Sequence, residues 1–250
     1  KPLDVLVRGT CNEYVTITRD DVTLRGEGAG ASVVNGPGSA APAILIQGQR
    51  NVIDGLSVTG GANGVLVSGP FVASLNNLVV RNPATGNAVV VRAGGDVSII
   101  GCTLMQAGNG LQLNRGGSAG VRGNSEIREN AGSGINVDLN STVAVSGGTK
   151  ILDNGAHGVR LDNGSEGSIN NSEIAGNANG VLVSASRASI GGGNQIRDNR
   201  ENGVLAAAGA TVTVTDNTIV NNNYNGIAGH LGSTLVLRGK YADETGAYGC

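Results

Sequence analysis

The chain has 250 residues, 43 of them glycine, with no tryptophan, one phenylalanine and four tyrosines, so a core built on aromatic side chains is excluded. Hydrophobic residues still make up 39%, chiefly Val, Ile, Leu and Ala, which excludes a disordered chain despite the glycine. Seventeen Lys and Arg against 19 Asp and Glu leave a net charge of −2; with no basic run and no aromatic interleaving, nucleic acid is set aside as a partner. No apolar run approaches the roughly 18 residues of a membrane span. The chain begins at Lys1 without a signal-like segment and reads as a processed or trimmed soluble protein.

Leu3 to about Pro42 form a less regular opening, which includes “EYVTITRDDVTLRGEG” (Glu13 to Gly28). From about Ala43 onward one frame recurs. Its anchor is a Gly followed by an apolar-x-apolar triplet, as in “GVLV” from Gly64, “GLQL” from Gly110, “GINV” from Gly134 and “GVRL” from Gly158. The anchors Gly64, Asn87, Gly110, Gly134, Gly158, Gly180, Gly203, Gly226 and Gly249 stand 23, 23, 24, 24, 22, 23, 23 and 23 residues apart.

Each unit holds three short β-branched pieces; after Gly134 they are “INV” (Ile135 to Val137), “VAV” (Val143 to Val145) and “KIL” (Lys150 to Leu152). They are too short for helices, and turn residues separate them, so they read as strands. Hairpins would need a strong turn signal between every pair of strands, whereas Asn-Gly comes once per three pieces. A three-faced coil that stacks on itself fits better, each strand pairing in parallel with its equivalents about 4.8 Å above and below.

The columns of the repeat set the pleat. Val65, Ala88, Leu111, Ile135, Val159, Val181, Val204 and Ile227 occupy the first inward place; Val67, Val90, Leu113, Val137, Leu161, Val183, Ala206 and Gly229 occupy the second, without a charge in either. Asn130, Asn154, Asn199 and Asn222 lie four before their anchors, with Asn177 one place out of step, and read as a structural amide stack. Cys102 shares a turn column with Ser125, Thr149, Ser172 and Asn194, and reads as a small unreactive thiol.

Units such as “NGVLVSASRASIGGGNQIRDNREN” (Asn179 to Asn202) resemble the right-handed parallel β-helix of the pectate-lyase-like superfamily, especially its carbohydrate-binding and sugar-hydrolase repeat proteins. The resemblance covers nearly the whole chain. The expected fold is an all-β, right-handed, single-stranded parallel β-helix of about ten coils, 22–24 residues each, with three parallel sheets. It forms a single domain over 1–250, with irregular first coils over 1–42 and regular ones over 43–250. The superfamily includes lyases, hydrolases, epimerases, esterases and proteins without catalysis, and the resemblance implies a substrate on the outer face of the first sheet.

The outward columns of that sheet read Leu66, Val89, Gln112, Asn136, Arg160, Leu182, Leu205, Ala228 and Ser68, Val91, Asn114, Asp138, Asp162, Ser184, Ala207, His230. Polar groups therefore gather in three consecutive coils. Asp138, Asp162, Arg160 and His157 are the candidate catalytic residues, and Gln112, Asn114, Arg115 and Asn136 the candidate substrate contacts. In-register neighbours on adjacent strands are about 5 Å apart, so the carboxylates of Asp138 and Asp162 are expected to repel. Such a pair suits acid and base work on a glycosidic bond, or Ca²⁺ binding with oxygens from Asn114 and Asn136; no other cofactor is expected. The plain alternative is a solvated strand face with weak ion pairing.

Coils that vary by two residues leave no long loop to wall a cleft. The dipeptide at His157 and Gly158 lacks the companion motifs of polygalacturonases, so no catalytic role is carried over from a named enzyme. With few aromatic platforms, a charged polymer is the more plausible carbohydrate. Two readings stay open. One is a secreted module, placed extracellularly, in a periplasm or at a cell surface, that binds an acidic polysaccharide and cleaves or epimerises it. The other is a non-catalytic assembly module. Its basis is an apolar surface at Leu66, Val89, Val91, Leu182 and Leu205, with self-association through uncapped ends carrying Cys11 and Cys250.

Overall fold

The β-branched pieces and the polar residues between them become strands and turns in the computed structural model, which describes residues 1–82 and 86–239. Gly249 and Cys250 lie outside the described residues. The strands form three wholly parallel sheets of ten, eleven and ten members. What we call the first sheet runs from Val15–Ile17 to Ile227–Gly229, the second from Leu3–Leu6 to Thr234–Arg238, and the third from Gly9–Cys11 to Thr218–Val220. Each coil contributes one strand to each sheet, and each inner strand pairs with those of the coils before and after it, as Ile135–Val137 does with Leu111–Asn114 and Val159–Leu161. The protein is thus a right-handed parallel β-helix of about ten coils.

The opening residues follow the same winding. Leu3 pairs with Val22, Gly9 with Ser32 and Val15 with Ile44, at separations of 19, 23 and 29 residues. Topology is constant there while turn length is not, which is why a period search finds no frame before Ala43.

The core is a narrow tube. Val65, Leu111, Ile135, Val159, Val181 and Val204 are all fully buried, each contributing roughly 1.5–3 kcal/mol by leaving water. The anchor glycines are there for space. Gly158 has no positive φ, yet a Cβ on it would lie 2.5 Å from Ile174 Cγ2 and 2.6 Å from the carbonyl oxygen of Gly180 in the next coil.

The predicted amide stack is present and continuous. The Oδ1 of Asn154 accepts from the backbone N–H (3.2 Å) and the Nδ2 (2.9 Å) of Asn130. Its own Nδ2 donates to Asn177 Oδ1 at 2.9 Å and Ile127 O at 3.2 Å. Asn177 is in step after all, because it also accepts from Asn154 and donates to Asn199. The residue missing from its 22-residue coil is lost between Asn177 and Gly180, after the stack. In the Cys102 column the backbone N–H of Cys102 donates to Ser125 Oγ at 3.2 Å, and that of Ser172 to Asn194 Oδ1 at 3.0 Å.

One coil departs from the predicted phase. Val89 pairs with Val65 and Leu111, and Arg92 with Ser68 and Asn114. The anchor of this coil is therefore Ala88, not Asn87; Val89 and Val91 point inward and are fully buried, while Val90 and Arg92 occupy the outward places. Seven residues separate Arg81 from Val89, against five between Thr59 and Val65 and five between Met105 and Leu111. A uniformly apolar run from Ala88 to Val91 carries no alternation, so a two-residue longer turn slips the frame unnoticed.

Candidate functional site

On the outer face of the first sheet, side chains two apart on a strand stand side by side, and register stacks them coil on coil. One outward column runs Leu66, Val90, Gln112, Asn136, Arg160, Leu182, Leu205. The other runs Ser68, Arg92, Asn114, then Asp138 and Asp162 just past their strands, where Asp138 N–H donates to Leu113 O and Asp162 N–H to Val137 O, both at 2.9 Å. Asp138 and Asp162 are accordingly neighbours in adjacent coils, as the repeat predicts.

Arg92 extends the polar patch to a fourth coil. It was missed because of the slipped frame, although it closes “VVVR” as Ser68 closes “VLVS”. Its Nε donates to Ser68 Oγ at 3.1 Å. Arg92 and Arg115, which sits in the following turn with φ 52°, make no ion pair among the described residues. The flanks differ from expectation: with Val89 and Val91 in the core and Leu66 only 8% exposed, the apolar contact surface reduces to half-buried Leu182 and Leu205.

Within the patch the side chains engage one another. Gln112 Oε1 accepts from Asn136 Nδ2 at 2.8 Å and Asn109 Nδ2 at 3.3 Å, and Gln112 Nε2 donates to Leu113 O at 3.2 Å. The Asp162 carboxylate, its side chain only 14% exposed, pairs with Arg160 Nε at 2.5 Å. Asp138 Oδ1 accepts from Leu139 N–H at 2.8 Å and Asn163 Nδ2 at 2.7 Å. Each carboxylate thus has its own partner, and a calcium ion between them would compete with these contacts. Among the described residues no three His, Cys, Asp or Glu side chains cluster as a metal site.

His157 stands one residue before its anchor, at the turn leading from the third sheet into the first. Neighbouring coils put Ser133 and Asn179 at the same place, and Asn179 Nδ2 lies 3.3 Å from His157 Nδ1. Burial, and next the positive charge of Arg160, hold the imidazole pKa below its ordinary value, against a smaller upward pull from Glu201 and Asp162. Glu201, which sequence reasoning also missed, bonds to the same Asn179 amide. His230 is remote from these groups, near the last described coil, and exposed.

Among curated protein sequences, none matches this chain. Solved structures do resemble it in fold. An alginate lyase from Paenibacillus sp. str. FPU-7 superposes with a TM-score of 0.78 at 15% identity, over 94% of this chain and 93% of that one. The Dettilon tailspike protein gives 0.75 at 16% identity over 98% of this chain, which spans 57% of the tailspike. The A-module of mannuronan C-5 epimerase AlgE4 from Azotobacter vinelandii gives 0.56 at 16% identity, over 98% and 87%. At such identities the likeness is one of fold. The right-handed β-helix region matches by sequence over residues 32–149 and 87–242, together most of the chain, and the protein belongs to that family.

Proposed function

We propose that the outer face of the first sheet binds an acidic polysaccharide. The observation that carries this reading is the unbroken run of charged and amide side chains through four consecutive coils, from Arg92 to Asp162, with Arg92 and Arg115 free of carboxylate partners among the described residues. Guanidinium groups without an internal counter-ion are available to uronate carboxylates, and the half-buried Asn114 and Asn136, whose Oδ1 atoms are buried, have amide N–H groups to offer to sugar oxygens. The fold is shared with an alginate lyase, a tailspike and a mannuronan epimerase, which supports a polysaccharide ligand. An extracellular, periplasmic or cell-surface location goes with such a ligand.

Cleavage or epimerisation at Asp138, Asp162 and Arg160 is the second reading. Against it stands the engagement of both carboxylates by other side chains. The test incubates the protein with polyuronates, with and without Ca²⁺, and follows binding together with the ultraviolet absorbance of unsaturated products. Binding without new absorbance is the expected result; no binding by the unmodified protein defeats the proposal. Product formation that disappears in Asp138→Asn with Asp162→Asn establishes the catalytic reading instead.

A further inference from the structure

The turn column beside the patch fixes the protonation geometry of His157. Asn179 is buried, 1% exposed, and its Oδ1 accepts from Asn202 N–H at 3.1 Å and Asn202 Nδ2 at 2.9 Å. Asn202 is oriented in turn by Asn225 Nδ2, which donates to its Oδ1 at 2.9 Å. On its other side, Asn179 Nδ2 donates to Glu201 Oε2. Rotating the Asn179 amide by half a turn would set oxygen against the Glu201 carboxylate and NH₂ against two Asn202 donors. Its orientation is therefore determined from both sides.

The remaining Asn179 N–H points at His157 Nδ1, 3.3 Å away. A donor there requires Nδ1 to accept, so the ring proton must sit on Nε2, which has no partner among the described residues. A second proton on Nδ1 would face the Asn179 NH₂ group, donor against donor.

We propose that His157 is a neutral donor of fixed tautomer, presenting Nε2–H to an acceptor oxygen of the ligand, a uronate carboxylate or a sugar oxygen, with Asn179 as its positioning residue. In this role it orients the ligand and takes no part in proton transfer. The donor role rests on the first-sheet face being the ligand surface; the tautomer does not.

The chain has two histidines, so long-range ¹H–¹⁵N spectra of labelled protein, with His230→Gln for assignment, read His157 directly. The expected pattern at pH 7 is a single Nε2–H tautomer. Glu201→Gln keeps an acceptor for Asn179 and leaves the pattern unchanged, while Asn179→Asp, which presents carboxylate oxygen to Nδ1, moves the proton to Nδ1 or adds a second. An Nδ1–H form, a mixture, or a doubly protonated ring in the unmodified protein overturns the inference. With alginate as probe, His157→Ala should lose about tenfold in affinity and His157→Gln, which keeps an N–H donor, should retain most of it. Equal losses in both overturn the donor role. If the unmodified protein binds no alginate yet shows the Nε2–H pattern, the ligand surface is refuted and the fixed tautomer stands.

Discussion

Arg160 Nε and Asp162 Oδ2 lie 2.5 Å apart, the arginine on its strand and the aspartate just past the strand's end, with the arginine side chain 45% exposed and the aspartate 14%. The pair joins the two outward columns, so the cation is partly committed within the protein. Asp162→Asn releases it and removes a negative charge from the face. Affinity for a polyuronate should then rise roughly two- to fivefold, and Arg160→Gln should lower it by a similar factor. Calorimetric titration at two salt concentrations checks both signs; a fall in affinity for Asp162→Asn would mean that the carboxylate itself contacts the ligand.

The coil spacing is defended at the anchors. In Gly158→Ala the new methyl meets a backbone carbonyl at 2.6 Å as well as Ile174, and backbone in a stacked coil cannot yield locally. A loss of about 1–3 kcal/mol is expected in urea unfolding. Gly120 lies in an outward place of the second sheet, at negative φ, with only Arg122 Nη1 near at 3.7 Å. Gly120→Ala should be neutral or stabilise by about 0.4–1 kcal/mol through a less flexible unfolded chain.

Asn154→Ala tests the amide stack. The side chain is fully buried, and its loss leaves the Asn130 N–H without its acceptor and takes one donor each from the Ile127 carbonyl and from Asn177 Oδ1, which keeps the Asn154 N–H. Each orphaned buried group costs about 1–3 kcal/mol, so Asn154→Ala should destabilise far more than Asn163→Ala, whose exposed amide holds only Asp138. Denaturant midpoints of the two variants compare them directly.

What the sequence discloses follows from where the period is strict. Val159 and Leu161 alternate with Arg160 and Asp162, so the repeat places Asp138 beside Asp162 without coordinates. In “NAVVV” no alternation exists, and a turn two residues longer than its neighbours buries Val89 and Val91 and brings Arg92 onto the face. Side-chain partners are a further step away: the engagement of Asp138 by Asn163, or of Asn179 by Asn202 and Glu201, depends on which rotamer reaches across one coil, and a period carries nothing about rotamers. The position of Asn179 was nonetheless legible, since it precedes Gly180 as His157 precedes Gly158.

Cysteine reactivity should divide by burial. Cys102 is 1% exposed and its Sγ donates to Leu75 O at 3.2 Å, while burial pushes its thiol up to about 11. Cys11 is a free, half-buried thiol in the first coil. Maleimide labelling at pH 7.5 followed by peptide mass analysis should mark Cys11 in the folded protein and Cys102 only after unfolding. Labelling of Cys102 at a comparable rate in native conditions would indicate that the coil opens there.

His157 gives folding stability a pH dependence of defined sign. Its folded pKa lies below the ordinary 6.5, chiefly through burial and then Arg160, with Glu201 and Asp162 pulling the other way. Between that lowered value and about 6.5 the unfolded chain carries a proton that the folded chain lacks, so stability rises with pH across this window. The contribution is complete above the unfolded pKa and is lost as acidification passes down through the folded one. The local geometry acts in the same direction, because protonation at Nδ1 confronts the Asn179 NH₂ group 3.3 Å away. His157→Gln cannot take up a proton, so its urea midpoint should fall less than that of the unmodified protein between pH 7 and 5. Parallel curves for the two proteins would mean that Glu201 and Asp162 neutralise the effect of burial and that the ring titrates as it does in the open chain.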